Sequence, residues 1–401
     1  MTIVTPLSVS GRWIVDANGN RVKLAGVNWA GAHQDAMTPG GLDRRHRDDI
    51  AAQIAAWGFN SVRFPFALQT VTSASPVAAA RVAANPDLDG CTPWQVYTKC
   101  VQALTEAGLM VIPNCHLLYQ GWCCSQTDGN GLWWNNNWPA SRFASGWLRV
   151  ATAFRGNPLV IGYDLKNEPR QATIGGTVFT PSWGDGNTQT DFCQMYSSTA
   201  TSIQAVDANA LFFCEGLAYA GNLTGAKTKL VTPAKGDCVV YEMHDYSWFH
   251  PAGQSQADYI TSMDNNGGFL MTEGTAPVWV GEFGTSNGSM ASVGASTMIG
   301  ASSPPGGKLG AWFSNFLAWA QQTDVDWCMW LLDGTMCQAT TPVTNQLQFA
   351  QGDRADYGLF AQDWTGASNP ALLEALQSIQ APVSGPGFSA PAKVAAGSPG
   401  T

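Results

Sequence analysis

Eight short apolar segments recur along this chain, and a segment with helical periodicity follows most of them. Repeated strand and helix units predict a parallel sheet, and eight of them favour closure into a barrel over an open doubly wound sheet. No Gly-x-Gly-x-x-Gly follows the first strand, which weakens a dinucleotide-binding fold. The sequence therefore predicts an α/β protein with a (β/α)8 TIM barrel. The predicted strands are 22–28, 61–65, 109–115, 160–165, 211–214, 238–243, 278–282 and 327–331.

The segments around these strands complete the predicted architecture. An Asn-Gly turn at 16–20 separates 7–15 from 21–29, which predicts an N-terminal β-hairpin that feeds the first barrel strand. We expect residues 1–381 to form the barrel and the Pro-, Gly-, Ser- and Ala-rich residues 382–401 to form a linker or tail. The predicted helices are 43–57, 94–107, 141–154, 191–206, 255–266, 309–321 and 370–379, with a weaker one at 219–228.

Long loops follow several strands at one end of the predicted barrel. That end is the C-terminal face, where barrels of this kind build their active sites. Long structured loops in a compact domain are usually functional, and these loops are rich in tryptophan. The sequence therefore predicts elaborated loops at the C-terminal face, at 120–139, 171–190, 246–254 and 333–357.

Charge and hydropathy restrict the partners. The net charge is -9 and only 12% of residues are charged, which argues against nucleic acid, since phosphate binding needs clustered Lys and Arg. No segment is apolar over the length of a membrane span. The polar, weakly charged composition is typical of a secreted protein. The first six residues lack the features of a signal peptide, so we expect a mature exported form with an added Met.

The ten cysteines fall into two groups. Cys115, Cys214 and Cys328 lie in apolar, strand-like runs, where a free thiol behaves as a small hydrophobe. The others lie nearer to loops or helix ends, where disulfides are plausible in an exported protein, although their pairing cannot be deduced from the sequence. Adjacent cysteines match no zinc-site spacing. The second group contains Cys91, Cys100, Cys123, Cys124, Cys193, Cys238 and Cys337.

Two glutamates lie at the C-terminal ends of two of the apolar strands. Glu168 ends Ile161–Pro169, and Glu282 lies near the end of the run that begins at Val278. Two carboxyl groups that converge on one bond are the pair that a retaining glycosidase needs, one as general acid and one as nucleophile. Of the seven glutamates, Glu215 and Glu242 also lie at strand ends and are the reserve candidates, with structural ion pairing as their other explanation.

Basic side chains accompany the pair. Arg63 ends a strand and is expected to lower the pKa of Glu282, although it could also be a salt bridge that closes the barrel. His116 and His244 end two further strands, and both are expected near the same rim. Two histidines at this rim favour a site that binds sugar hydroxyls. The alternative, a metal ion held by both histidines and an acid, ranks well below it.

The ordered set of motifs resembles glycoside hydrolase family 5, the cellulase family of the retaining clan A. The resemblance runs through most of residues 8–380. It implies that Glu168 is the acid/base, that Glu282 is the nucleophile and that no cofactor is needed. It also implies that Asn167 binds the sugar 2-hydroxyl, that Tyr246 steadies the nucleophile and that Trp330 is the floor of the cleaved subsite. The motifs are Arg63-Phe-Pro, His116, Asn167-Glu168-Pro169, His244-Asp-Tyr246, Glu282-Phe-Gly and Trp330.

Further tryptophans are candidates for flanking subsites, because a flat apolar ring suits the C–H face of a pyranose. The insertion 120–139 is unusual for a cellulase, and it leaves open whether the site is an extended groove or is walled off at one end for exo action. The candidates are Trp29, Trp133, Trp134 and Trp248.

The predicted function is therefore that of a secreted O-glycosyl hydrolase, an endo-β-1,4-glucanase that acts by double displacement. Alternatives within the same chemistry are a β-mannanase, an exo-β-glucanase or β-glucosidase, and a glycolipid glycosidase. Alternatives from other classes are a noncatalytic carbohydrate-binding barrel and a metal-dependent hydrolase. The expected partner is a β-linked polysaccharide or oligosaccharide. We expect a monomer, and residues 382–401 either once led to a carbohydrate-binding module or are a frayed tail with no partner.

Overall fold

Eight parallel strands form a closed barrel in the computed structural model, which describes residues 3–251, 253–285, 311–337, 341–343, 347–349 and 352–388. Each strand pairs with its neighbours in chain order, and the last pairs with the first. The predicted (β/α)8 barrel is confirmed. The strands are β1 (Ala25–Asn28), β2 (Ser61–Ala67), β3 (Met110–Leu117), β4 (Gly162–Asp164), β5 (Leu211–Glu215), β6 (Val239–Asp245), β7 (Val278–Phe283) and β8 (Asp326–Met329).

The outer helices begin at local sequence signals. The helix Pro93–Glu106 starts with a capping box, in which Thr92 accepts from the backbone of Gln95 and the Gln95 side chain accepts from Thr92. Asp191 caps the helix Phe192–Gln204 in a similar way. The other α-helices are Arg47–Ala56, Leu68–Thr72, Ala140–Phe154, Gln256–Met263, Phe269–Thr272, Ala311–Thr323 and Pro370–Gln377.

Two local predictions were wrong. The weaker helix expected at 219–228 is only a 3-10 turn, Thr224–Lys227, in a segment where Ala218, Tyr219 and Ala220 have left-handed backbone dihedrals that interrupt a helix. The hairpin pairs Ser8–Ser10 with Trp13–Val15. Its turn therefore lies at Gly11, where φ is +55°, and the predicted Asn-Gly turn closes only a bridge between Val15 and Arg21.

The chain returns to the barrel near its C-terminal end. Asp324 is buried and its Oδ2 accepts hydrogen bonds from the backbones of Val383 and Ser384, at 3.1 and 3.0 Å. The first residues of the predicted linker are thus bound to the barrel, and 389–401 lie outside the described residues. The predicted boundary at residue 381 stays a prediction.

One apolar core fills the barrel and the space between strands and helices. Eleven of the seventeen tryptophans are buried, and Trp147, Trp279, Trp319 and Trp327 are fully buried in this core, so most of the tryptophan content serves packing. Among the described helices, none has the length and apolar character needed to cross a membrane. The long loops lie at the C-terminal face as predicted, although parts of 333–357 fall outside the described residues.

Candidate active site

Glu168 and Glu282 face each other at the C-terminal end of the barrel. One carboxylate oxygen of each lies with a ring nitrogen of His244 in a cluster whose atoms are all within 4.8 Å of one another. Glu282 lies within β7, whereas Glu168 follows β4 in a left-handed backbone conformation, with φ of +46°. Such strained positions cluster at functional sites. The structure therefore brings together the two glutamates that the sequence singled out.

Arg63 is the fully buried centre of the hydrogen-bond network. Its Nη1 donates to Glu282 Oε1 at 2.5 Å, and its Nη2 donates to Asn167 Oδ1 at 2.8 Å. Its Nε donates to Asp164 Oδ2 at 2.6 Å, and Nη2 also reaches Glu215 Oε1 at 3.0 Å. One guanidinium thus fixes the orientation of Glu282 and Asn167 together, which a point charge could not do.

His244 and Tyr246 connect the two glutamates. The register of β6 and β7 shifts after Met243 and places His244 directly beside Glu282. His244 Nδ1 lies 3.0 Å from Glu168 Oε1 and 3.7 Å from Glu282 Oε2. The Tyr246 hydroxyl donates to Glu282 Oε2 at 3.0 Å. Both oxygens of Glu282 are therefore held by hydrogen bonds, one from Arg63 and one from Tyr246.

Burial shifts the pKa values of both carboxyl groups in the same direction. It raises the pKa of Glu168 to about 7. Burial also raises the pKa of Glu282, although His244 and Arg63 act in the opposite direction. Arg63 acts to lower the pKa of Glu282, as expected, but desolvation outweighs the attraction of the cation, so the pKa of Glu282 lies above its ordinary value. Burial lowers the pKa of His244 to about 4, so this imidazole is neutral near pH 7.

Glu215 and Glu242, the reserve candidates, lie below the pair and are fully buried. Glu215 Oε2 accepts from the backbone N–H of Glu168 at 2.5 Å, so it supports the strained turn at Glu168. Glu242 Oε1 lies 3.3 Å from His244 Nε2. Burial raises the pKa of both carboxyl groups well above the usual range. A structural role was one of the two explanations predicted for Glu215 and Glu242. Asp164, which also accepts from Arg63, was not singled out from the sequence.

The absence of a side chain at Gly281 leaves space for the carboxyl group of Glu242. A Cβ atom at position 281 would overlap Oε1 of Glu242, and this oxygen is fixed within the buried network. We expect Gly281→Ala to lower the free energy of unfolding by about 1–3 kcal/mol, as overpacking does. Urea denaturation measures this. Gly236→Ala is the matched control, because a Cβ there meets no heavy atom within 4 Å, and an equal loss in both variants would contradict the explanation.

Three rings form an aromatic wall beside the glutamates. His116 stacks on Trp330, with ring centroids 5.5 Å apart and planes at 14°, and its Nδ1 lies 2.8 Å from Asn114 Oδ1. His33 packs against His116 at 4.2 Å and was missed by the sequence analysis. His33 lies in a loop without a recognisable motif, so only the fold reveals its position. Its buried Nδ1 has no hydrogen-bond partner among the described residues.

The four tryptophans expected in flanking subsites have different environments. Trp29 is fully buried and donates to Gly40 O, so its assignment to a subsite was wrong. Trp133 is also buried, with its ring edge on to Phe192, which leaves little surface for a sugar. Trp134 is partly exposed and donates to Gln189 O. Trp248 is 45% exposed and stacks on Tyr246 with centroids 4.4 Å apart.

The expectation of disulfides holds for two of the seven cysteines in the second group. Cys123 and Cys124 are joined to each other, and the other eight are free. Seven of these eight are buried, as expected for Cys115, Cys214 and Cys328. The disulfide prediction was therefore wrong for Cys91, Cys100, Cys193, Cys238 and Cys337.

The three candidate metal clusters found among the described residues do not contain His116. The ligand set proposed for a metal-dependent hydrolase, His116 with His244 and an acid, is thus not brought together by the fold. His116 instead packs in the aromatic wall.

Comparison with known proteins places this geometry in a family. The family model for cellulase (glycosyl hydrolase family 5) matches residues 15–335. An endoglucanase of Paenibacillus polymyxa is 32% identical over 69% of this chain and 70% of its own length. A glycosyl hydrolase 5 family protein of Chamaecyparis obtusa is 27% identical over 95% of this chain and 67% of its own length.

Solved structures agree with this placement at the level of the fold. A hyperthermophilic endocellulase from Pyrococcus horikoshii superposes with a TM-score of 0.74 at 23% identity, over 95% of this chain and 100% of that one. The catalytic domain of the major endoglucanase of Xanthomonas campestris gives 0.71 at 21% identity, over 93% and 99%. With the family model matched over most of the barrel, the chain belongs to glycosyl hydrolase family 5, the cellulase family.

Proposed function

We propose that this protein is a retaining endo-β-1,4-glucanase, with Glu282 as nucleophile and Glu168 as acid/base. The observation that carries the proposal is the approach of the two carboxylates to within 4.8 Å. Retaining glycosidases hold their carboxyl groups about 5–5.5 Å apart, whereas inverting enzymes need roughly 6.5–9.5 Å to admit a water molecule. The endoglucanases among its relatives support β-1,4-glucan as the substrate.

The contacts assign a role to each group in the first step. Glu282 attacks the anomeric carbon, and its carboxylate is aimed by Arg63 and Tyr246. Glu168 protonates the departing glycosidic oxygen, for which its raised pKa is suited. In the second step Glu168, now ionised, takes a proton from the water that releases the sugar. Asn167, oriented by Arg63, is proposed to bind the 2-hydroxyl.

The aromatic rings support a substrate with several sugar units. Trp330 is proposed as the floor of the cleaved subsite beside His116, and the exposed Trp248 as a flanking platform. Trp134, in the loop that follows β3, is a further candidate because it is partly exposed. A relative described as a major extracellular endoglucanase supports a secreted protein. The monomeric state and the additional carbohydrate-binding module stay predictions.

The test is to identify the products and their anomeric configuration. We expect soluble β-1,4-glucan to give a mixture of oligosaccharides and a rapid fall in viscosity, and proton NMR of the first products to show the β-anomer. β-Mannan, β-1,3-glucan and aryl glucosides are the comparison substrates. First products in the α-configuration would refute the retaining mechanism, and single sugars released from the start would refute endo action.

The raised pKa of Glu168 predicts how activity declines at alkaline pH. Glu168 must be protonated as the acid, so kcat/KM should fall by up to about tenfold per pH unit above its pKa of about 7. Hydrolysis of cello-oligosaccharides from pH 5 to 9 measures this. Glu168→Gln, assayed on an aryl cellobioside with a good leaving group, should lack this alkaline decline in kcat/KM. A wild-type profile that is level to pH 9 would contradict the assignment.

A further inference from the structure

Two adjacent cysteines lie beside the proposed acid/base. Cys123 Sγ is 3.7 Å from Glu168 Oε2. The side-chain N–H of Asn167 points to both sulfurs, 3.5 Å from that of Cys123 and 3.9 Å from that of Cys124. The two cysteines form a disulfide with each other. Both are only partly buried, so solutes that enter the active site reach them.

Arg170 fixes this arrangement. Its Nη1 donates to Glu168 O at 2.9 Å, its Nε donates to Ser125 O at 3.0 Å, and its Nη2 donates to Asp128 Oδ2 at 2.6 Å. One buried guanidinium thus joins the loop that carries the cysteines to the turn that carries Glu168. These contacts do not involve either sulfur, so we expect the loop to stay in place when the disulfide is reduced.

The sulfurs and the carboxylate provide a set of metal donors. The two cysteine sulfurs and one carboxylate oxygen of Glu168 lie within 4.8 Å of one another. Thiolates are soft ligands that select thiophilic ions, and a carboxylate oxygen is a suitable third donor. Of the other cysteines, seven are buried and only Cys91 is partly accessible. The Cys123–Cys124 pair is therefore the accessible dithiol among the ten cysteines, and it lies in the active site.

We propose that the reduced Cys123–Cys124 pair, together with Glu168, binds one thiophilic divalent cation such as Cd²⁺, and that the disulfide prevents this binding. A phosphine reduces the disulfide: it takes oxygen from one water molecule, is oxidised by two electrons, and leaves two thiols. Binding of Cd²⁺ then releases the two thiol protons to the solvent. The cation occupies the Glu168 carboxylate, so it inhibits hydrolysis. The inhibition rests on the proposed function, whereas the binding does not.

The experiment compares the full chain in two redox states. Protein reduced with a phosphine and desalted without oxygen is titrated with Cd²⁺ beside untreated protein, and the thiolate-to-cadmium charge-transfer absorption is recorded together with glucanase activity. We expect one ion per reduced chain, loss of activity in proportion to bound cadmium, and neither effect in untreated protein. Cys91→Ser is the matched control and should behave as wild type. Cys124→Ser should lose the absorption.

Each readout has an outcome that overturns the proposal. Reduced wild type without the charge-transfer absorption refutes the site, and this result does not depend on whether Cys124→Ser folds. Equal inhibition of Cys124→Ser and reduced wild type would place the ion on Glu168, His244 and Glu282 instead. If the absorption appears and no glucan is hydrolysed in any state, the metal site stands and the proposed function fails.

Discussion

Glu282→Gln should lower kcat on soluble β-1,4-glucan by on the order of 10⁴- to 10⁶-fold, as removal of a catalytic nucleophile does. The amide keeps the shape of the side chain and cannot attack the anomeric carbon. Its amide oxygen can still accept from Arg63, and its NH2 group can donate to the Tyr246 hydroxyl, in place of the two bonds that now hold the carboxylate at 2.5 and 3.0 Å. We therefore expect cellotetraose to bind with little change in Kd, as measured by calorimetry.

The control for this variant is Glu273→Gln, the same chemical change at an exposed position outside the barrel interior. It should retain wild-type kcat. A loss of only a few-fold in Glu282→Gln would remove Glu282 from the nucleophile position. Unchanged binding of oligosaccharides with no turnover in the wild type would instead favour the noncatalytic carbohydrate-binding barrel.

Arg63→Met should destabilise the fold more than other single changes at the site. Four carboxylates lie within 3.3 Å of this one guanidinium, in a fully buried environment. Removal of one partner of a buried ion pair costs about 3–5 kcal/mol, because it leaves uncompensated charge. We expect the free energy of unfolding in urea to fall by about this amount at neutral pH, with hydrolysis abolished.

Arg63→Lys separates charge from geometry. Lysine retains a positive charge and cannot donate to Glu282, Asn167 and Asp164 in the planar arrangement of a guanidinium. It should therefore recover part of the lost stability and little of the lost kcat. The exposed Arg149→Lys is the matched control and should leave both quantities unchanged. Full activity in Arg63→Lys would show that charge alone is sufficient.

The predicted barrel and the predicted glutamate pair share one physical reason. Parallel strands end at the same edge, so residues at successive strand ends meet without detailed knowledge of the loops. Arg63 and His244 were identified in this way, whereas Tyr246 was implied by the family resemblance. The structure places all three against Glu282. Glu215 and Glu242 were also noted as strand-end residues, although their burial beside Arg63 depends on closure of the barrel.

Loop residues were predicted less well. Trp29 follows a barrel strand and was expected to reach a sugar, yet it points into the core and packs on Phe64. His33 lies only four residues later and is part of the aromatic wall. Composition does not distinguish these environments, because a tryptophan or histidine suits both a core and a binding surface.

The order of apolar and helical segments by itself determined the closed barrel, its functional end and the two facing glutamates, since strand direction and strand number leave few ways to pack such units. Only the tertiary structure decided which tryptophans are buried, that most cysteines are free, and that Cys123 and Cys124 lie beside Glu168. These features depend on contacts between loops that are distant in the sequence, such as those of Arg170 with Ser125 and Asp128, and no local pattern encodes such contacts.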